Sequence, residues 1–377
     1  MAEIQIALPG ARFLLGRPKH FSRSSSFAAL LVATLFVAAC SGGGSTGPTA
    51  DAGVNSKKSI PSQPAPTDTV TTSGSVPATP APAAPTTSSS DNVFWINPSS
   101  AAKSQADSWR STRPADAAQM DKLASKAVAN WFGDWNADVY LAVNAVVTAA
   151  TAAARIPVLV AYNIPSRDCG GLSGGGGATA GAYKTWIGAF ASGLAGRKAT
   201  VILEPDALAG MDCLSLADQQ VRVDLLSYAV QLLKSQPNVS VYLDAGHPDW
   251  QTAAEMSARL TRANIAIANG FSLNISNFYT TSDNVSYGQK ISALTGGKHF
   301  VVDTGRNGLG PTSDHQWCNP DGRAIGAGPT TATGNALVDA FLWVKVPGES
   351  DGACNGGPSA GKWWGDYALG LASRSAI

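Results

Sequence analysis

The strongest constraint in this chain is a repeated unit in which a short apolar run ends at an acidic turn. Ile156-Pro-Val-Leu-Val-Ala-Tyr-Asn-Ile-Pro-Ser-Arg-Asp168, Val201-Ile-Leu-Glu-Pro-Asp206 and Val239-Ser-Val-Tyr-Leu-Asp244-Ala-Gly-His247 are three copies. Phe341-Leu-Trp-Val-Lys-Val-Pro-Gly-Glu349-Ser-Asp351 is a fourth, ending in two acids. Short apolar runs bounded by Gly and Pro, with helix-length stretches between them, call for parallel strands joined by right-handed crossovers. The pattern predicts helices over 137–154, 181–195, 216–234 and 251–268, with a shorter one over 287–294. Strands are expected over 156–162, 199–204, 239–243, 271–275, 299–303 and 340–345. The fold class is therefore α/β, and chemistry in such folds gathers at the C-terminal ends of the strands.

Ahead of that repeat the composition changes twice. Basic Arg12, Arg17, Lys19 and Arg23 precede an apolar stretch from Phe27 to Ala39, the pattern of an export signal. The stretch closes on Val37-Ala38-Ala39-Cys40, similar to a lipoprotein cleavage site at which Cys40 would carry lipid; the alternative is an ordinary cleaved signal. From 41 to 92 the chain is rich in Ser, Thr, Pro, Gly and Ala, cannot bury a core, and is expected to be a disordered tether. The folded part is then 93–377. The 377 residues carry a net charge of only +1 with 14% charged residues, which supplies no field for tracking a phosphate backbone, so nucleic acid is excluded as a partner.

Setting Cys40 aside, Cys169, Cys213, Cys318 and Cys354 remain. An even number in an exported chain favours disulfides over metal ligation, and none of the spacings is Cys-x-x-Cys. Three pairings are possible. Cys169 with Cys213 and Cys318 with Cys354 is favoured, since each would tie one rim loop to the loop of a later strand. No Gly-x-Gly-x-x-Gly opens a helix after the first strand, so a dinucleotide site is disfavoured. The run Gly174-Gly-Gly-Gly177 is expected either to let backbone approach a ligand or move as a lid, or to be a flexible surface loop. His247 has no second His or Cys at ligand spacing, and no Gly-x-Ser-x-Gly elbow is present, so neither a zinc centre nor a serine hydrolase is expected. No cofactor is called for.

The acids carry the case. Asp168 lies between Arg167 and Cys169 in a polar turn, whereas Asp206 ends a strongly apolar strand, and such different surroundings push two pKa values apart. Glycoside hydrolysis needs that split: one carboxylic acid protonates the leaving oxygen while another stays charged. On this reading Asp206 is the acid. A single strand-terminal Asp is more often a helix cap, but four acidic rim segments together favour function over capping. Asp303 is either a fifth rim acid or a structural partner of Arg306. Trp131, Trp135, Trp250 and Trp317 fall in loop contexts and offer stacking faces for sugar rings, with Trp250 the foremost, while Trp186 and Trp343 are assigned to packing.

At this point the residues resemble glycoside hydrolase family 6, the inverting cellulases. Tyr162-Asn-Ile-Pro-Ser-Arg-Asp-Cys-Gly170 and Ile202-Leu-Glu-Pro-Asp-Ala-Leu-Ala209 are similar to its two signatures. Tyr242-Leu-Asp-Ala-Gly-His247 with Trp250, Asn274-Ile-Ser-Asn277, Asp303-Thr-Gly-Arg-Asn307, Trp317-Cys-Asn-Pro320 and Trp343-Val-Lys-Val-Pro-Gly-Glu-Ser-Asp351 continue the similarity through 93–377. The resemblance implies a distorted, partly open (β/α) barrel with a cleft across its C-terminal rim, both favoured disulfides, and no cofactor or metal. It implies Asp206 as general acid, Asp168 raising its pKa, Asp351 at the position proposed as base, and Asp244 assisting electrostatically. Tyr162 would lie under the distorted sugar, with Trp131, Trp317, Lys345 and Glu349 on the non-reducing side and His247, Trp250 and Asn274 along the cleft.

The family commonly places a serine directly before Gly-Gly in the first loop; here Ser173 precedes four glycines and Gly174 falls in the serine's place. The segments 303–317 and 351–363 are short for tunnel-roofing loops, which favours an open cleft and internal cutting. The expected activity is hydrolysis of internal β-1,4-glucosidic bonds in cellulose or a soluble β-glucan by an exported monomer, touching membrane only through lipid at Cys40. An exo-acting cellobiohydrolase and a non-catalytic sugar-binding lipoprotein are the alternatives.

Overall fold

The structure, a computed structural model, describes residues 93–375. The export signal, Cys40 and the tether lie outside the described residues. Seven strands, β1 (Asn130–Phe132), β2 (Val158–Ala161), β3 (Ala199–Leu203), β4 (Val239–Asp244), β5 (Gly270–Leu273), β6 (His299–Asp303) and β7 (Val338–Leu342), form one parallel sheet in sequence order. Helices α3 (Val139–Ala152), α4 (Ala180–Leu194), α5 (Leu216–Lys234), α6 (Ala253–Arg262) and α7 (Thr281–Leu294) fill the crossovers from β1 to β6. No ladder joins β7 back to β1. That seam is bridged instead by Ala129 N–H to the Trp343 carbonyl at 3.0 Å and by the Trp131 indole N–H to the Val344 carbonyl at 2.8 Å. The result is a distorted barrel, open along one side.

Strand parity decides what reaches the rim. On β2, Val158 and Val160 join the inner cluster with Ile202, Tyr242, Val301, Ala340 and Leu342, while Leu159, Ala161, Val201, Leu203, Val241 and Leu243 face the helices. The period of two continues past each strand. Tyr162 follows Val160 and Asp244 follows Tyr242, so both arrive at the top of the barrel on its inner side, whereas Glu204, left-handed after β3, turns onto the end of β2.

Helix starts are set by Asp138, Thr179, Ser215, Thr252 and Thr280, each of whose side chains accepts a backbone N–H two or three residues into its helix. Helix α7 begins at Thr281 rather than near 287, because its first turn is polar and hides the apolar periodicity. Helix α6 stops at Arg262, not 268, because Asn264 turns left-handed with φ 67°. Strand β7 ends at Leu342: Trp343 leaves the ladder to pack with α1 (Ala101–Trp109), α2 (Pro114–Ala124) and α8 (Gly365–Ser373), its indole donating to the Ala327 carbonyl. Those three helices and the short β1 were not anticipated from the sequence.

Disulfides join Cys169 to Cys213, linking the loops after β2 and β3, and Cys318 to Cys354, linking the loops after β6 and β7. Each closes a loop of some tens of residues, so replacing one pair by serine is expected to cost about 2–4 kcal/mol. A thermal unfolding midpoint unchanged in both double-serine variants would contradict this role.

Candidate active site

Above the strands runs a cleft of about 1230 Å³ whose walls include Trp131, Tyr162, Asp168, Asp206, His247, Trp250, Trp317, Lys345, Glu349 and Asp351. Ten of the twelve residues expected from sequence to be catalytic or substrate-binding thus meet there; Asp244 and Asn274 do not border the cleft. Their placement begins with backbone geometry. Glu204 (φ 51°) and Asp206 (φ 68°) are both left-handed, an unfavourable state for non-glycine residues that has to be held from outside. Glu204 is buried and its carboxylate accepts the N–H groups of Asn163 and Ile164 at 2.9 Å, fastening the end of β3 to the end of β2. Burial raises its pKa to about 7, with those two hydrogen bonds acting the other way.

Asp206 is held through its main chain. Its N–H donates to Asp244 Oδ2 at 2.9 Å, and Asp244, 1% exposed, also accepts from Gly246 N–H at 3.2 Å and the Ser272 hydroxyl at 3.1 Å. The Asp206 carboxyl itself caps no helix and makes no hydrogen bond to the described protein, and the following helix is capped by Ser215. Burial first, then the charges of Asp244, Asp168 and Asp351, push its pKa well above the ordinary carboxylate value. Asp244 is also raised by burial, to about 6, but its three hydrogen-bond donors favour the ionised form. Of the pair, Asp206 holds the proton. Asp206 is partly exposed and borders the cleft, so the residue is reachable as well as perturbed.

Asp351 stands in the opposite condition. Arg306 Nη1 lies 2.8 Å from its Oδ2, Asn319 N–H donates to the same oxygen at 3.0 Å, and Lys345 Nζ lies 3.6 Å from Oδ1. Burial opposes ionisation, yet Arg306 and Lys345 outweigh it and the pKa falls below the ordinary value. Lys345 is shifted down by burial, and Glu349 up by burial with Lys345 opposing. The Arg306–Asp303 pairing considered from sequence is not formed. Asp303 instead accepts four backbone N–H groups, from Ser276, Gly305, Val344 and Lys345, and is buried beneath the rim.

Asp168 faces the cleft from a left-handed position (φ 52°), accepting Ser173 N–H at 2.7 Å. Its neighbour Arg167 is buried and anchors the loop: it donates to the carbonyls of Tyr162, Ser173 and Gly174 and pairs with Asp134 at 3.1 Å. The glycine run is neither a free surface loop nor simply a lid. A Cβ on Gly176 would lie 1.9 Å from the Ile164 carbonyl oxygen, so the chain packs against its own β2 exit; only Gly174 borders the cleft. At the loop's tip Leu172 rests against Gly352, where a Cβ would come within 2.6 Å of its side chain. The loops after β2 and β7 meet at that point.

Along the wall His247 stacks on Tyr279 with centroids 4.5 Å apart and leans on Trp250 at 5.4 Å. Burial lowers the His247 pKa to about 4, and Nδ1 accepts Asp249 N–H at 3.3 Å, which leaves Nε2–H of a neutral ring to donate. Trp317 and Trp250 are 51% and 39% exposed, open enough to stack. Trp131 meets Tyr162 edge to face at 5.2 Å. Asn274 corrects the sequence reading. It is fully buried, its amide donates to the Tyr279 and Asp303 carbonyls and its oxygen accepts Tyr279 N–H, so it shapes the loop while Ser276 and Asn277 reach the cleft. Sequence reasoning missed Tyr279, on which His247 stacks, and two buried arginines, Arg222 gripping the Pro165 and Ser166 carbonyls and Arg259 gripping those of Leu208 and Ala209; it named Arg306 but not its partner Asp351. No group of three metal-ligating side chains occurs among the described residues.

Comparison with known proteins matches residues 89–375 to the family described as glycosyl hydrolases family 6. The chain belongs to glycosyl hydrolases family 6. Within that family it is 45% identical over 272 residues to endoglucanase A of Cellulomonas fimi, covering 71% of this chain and 59% of that protein. It is 44% identical to endoglucanase 1 of Streptomyces halstedii, covering 69% of this chain and 83% of the other. The solved structure of the endoglucanase Cel6 from Mycobacterium tuberculosis, in complex with methyl-cellobiosyl-4-deoxy-4-thio-β-D-cellobioside, is 47% identical with a TM-score of 0.72 over 75% of this chain and 97% of that one. The chain thus spans less than two thirds of the Cellulomonas protein's length, 59%, and nearly all of the solved Mycobacterium chain.

A pH consequence follows from the paired acids. Ionised Asp244 raises the pKa of Asp206, so Asp244→Asn, which keeps an oxygen for the Asp206 N–H, is expected to move the alkaline limb of the kcat/KM profile of glucan hydrolysis to lower pH. An alkaline limb that stays in place would show that Asp244 does not set the protonation of Asp206.

Proposed function

We propose that this chain hydrolyses internal β-1,4-glucosidic bonds of cellulose or a related soluble β-glucan with inversion at the anomeric carbon. The observation that carries the proposal is the split between a carboxyl kept protonated at Asp206 and one kept ionised at Asp351, both bordering one cleft. Asp206 donates its proton to the glycosidic oxygen as the bond breaks. Asp244 and Asp168 keep that proton in place beforehand and, as charges, favour the positive character of the oxocarbenium-like transition state. A water attacks from the opposite face, and Asp351 is its proton acceptor. Arg306 makes Asp351 a weak base, which suffices because the water becomes acidic only as its bond to carbon forms.

Tyr162 lies against the reacting sugar, and burial above all keeps it from losing its own proton. Trp131, Trp317, Lys345 and Glu349 hold the sugars on one side and His247 with Trp250 those on the other. A sugar-binding protein without catalysis would have no use for a buried acid that carries its proton at neutral pH. The relatives named endoglucanase support internal cutting. Contact of Leu172 with Gly352 favours a second reading, exo-acting release, since that contact has to part before a chain can enter from the side. The two disulfides accord with an oxidising compartment. Export, with a lipid anchor at Cys40, and action as a monomer complete the proposal.

Asp206→Asn is expected to lower kcat on carboxymethyl cellulose by at least about 10³-fold while leaving oligosaccharide affinity within about twofold, because the lost proton acts only in the transition state. Wild-type turnover in that variant would reject the assignment. Viscometry against reducing-sugar release separates the modes: a steep viscosity fall per bond cut is expected, and a shallow one would establish exo action. Early NMR spectra of the products are expected to show the α-anomer, and a retained β-anomer would overturn inversion.

A further inference from the structure

Trp135 is the one cleft-lining tryptophan that the proposed function leaves without a task, although its loop context in the sequence marks it as a candidate stacking face. It sits on the β1–α3 loop, 53% exposed, and borders the same cleft as Trp131 and Tyr162. A large indole in that position is held by two features. The Arg167 guanidinium lies 5.2 Å from its ring centroid and 4.6 Å from that of Tyr162, so one cation is flanked by both rings. Beneath it, Gly133 has no space for a side chain: a Cβ there would lie 2.3 Å from Cζ3 of the indole and 2.5 Å from Cη2. Asp134 between them is fixed by Arg167 at 3.1 Å and by Gly176 N–H at 3.1 Å. The ring is therefore held by Arg167 and Gly133, and it still keeps 53% of its surface open beside the cleft. A residue required only to cover Arg167 would not need an aromatic ring half open to solvent at the cleft border.

We infer that Trp135 is a further sugar-binding platform of this chain, stacking a pyranose ring of the β-glucan on its open face. The inference rests on the proposed function for the identity of the ligand. Sugar rings present C–H groups on one face, and an indole pre-set by Arg167 and Gly133 takes them with little loss of side-chain freedom. Because the same guanidinium anchors the Asp168 loop through the Ser173 and Gly174 carbonyls, a sugar seated on Trp135 also immobilises that loop.

The test is oxidative footprinting of the intact chain with and without saturating cellohexaose, read by mass spectrometry at each tryptophan. Protection of Trp135 together with Trp250 and Trp317 is expected. Protection of Trp250 and Trp317 with Trp135 as reactive as before overturns the inference and leaves the proposed function standing. No protection at any of the three overturns both. A second measurement separates stacking from packing: calorimetry of cellohexaose binding in an Asp206→Asn background. Trp135→Leu, which keeps apolar bulk over Arg167, is expected to weaken binding about tenfold, and Trp135→Phe by no more than about threefold. Undiminished affinity in Trp135→Leu would reduce Trp135 to a cover for Arg167 and overturn the inference.

Discussion

Asp244 accepts a hydrogen bond from the backbone of the residue whose ionisation it opposes. This contact fixes two acids close together in surroundings poor in water, and it removes the usual escape in which like charges drift apart. Asp244 has three donors and Asp206 carboxyl has none, so the proton settles on Asp206. Other buried groups at the rim hold that arrangement. Glu204 fixes the left-handed turn before Asp206, and Arg259 and Arg222 hold the loop that follows.

The second acid shows the same economy with opposite sign. Two buried cations confront Asp351, and removing one partner from such a buried pair typically costs about 3–5 kcal/mol because the other charge is left stranded. Arg306 therefore has structural and electrostatic roles that cannot be separated by deletion. It also stacks on Phe278 at 4.4 Å and donates to the Ser276 carbonyl, tying the loops after β5, β6 and β7 into one block. A groove assembled from loops on separate strands keeps its shape through these buried arginines and the two disulfides.

Much of this was legible beforehand because strand parity is a strict rule. The period of two that puts Val158, Val160 and Tyr242 inside the barrel also delivers Tyr162 and Asp244 to the rim, and the acids stand out at the ends of apolar runs. What depended on long-range contacts was not legible. Asn274 and Asp303 look like site residues locally, yet each is consumed by backbone groups of neighbouring loops. Arg306 stands three residues from Asp303 but pairs with Asp351, forty-five residues on. The glycine run gave no sign that it packs against Ile164, and α1, α2 and α8, 9 to 11 residues long, lie outside the strand–helix repeat that marked the other helices.

The central claim is that the folded protein holds a proton on Asp206 at neutral pH. The most direct measurement is the carboxyl ¹³C chemical shift of Asp206 as a function of pH in aspartate-labelled protein, assigned by its disappearance in Asp206→Asn. The account predicts a protonated carboxyl at pH 7 in the free protein, with Asp351 ionised at the same pH. An Asp206 resonance that titrates at the ordinary aspartate value near 3.8, in protein that still cleaves glucan, would contradict it.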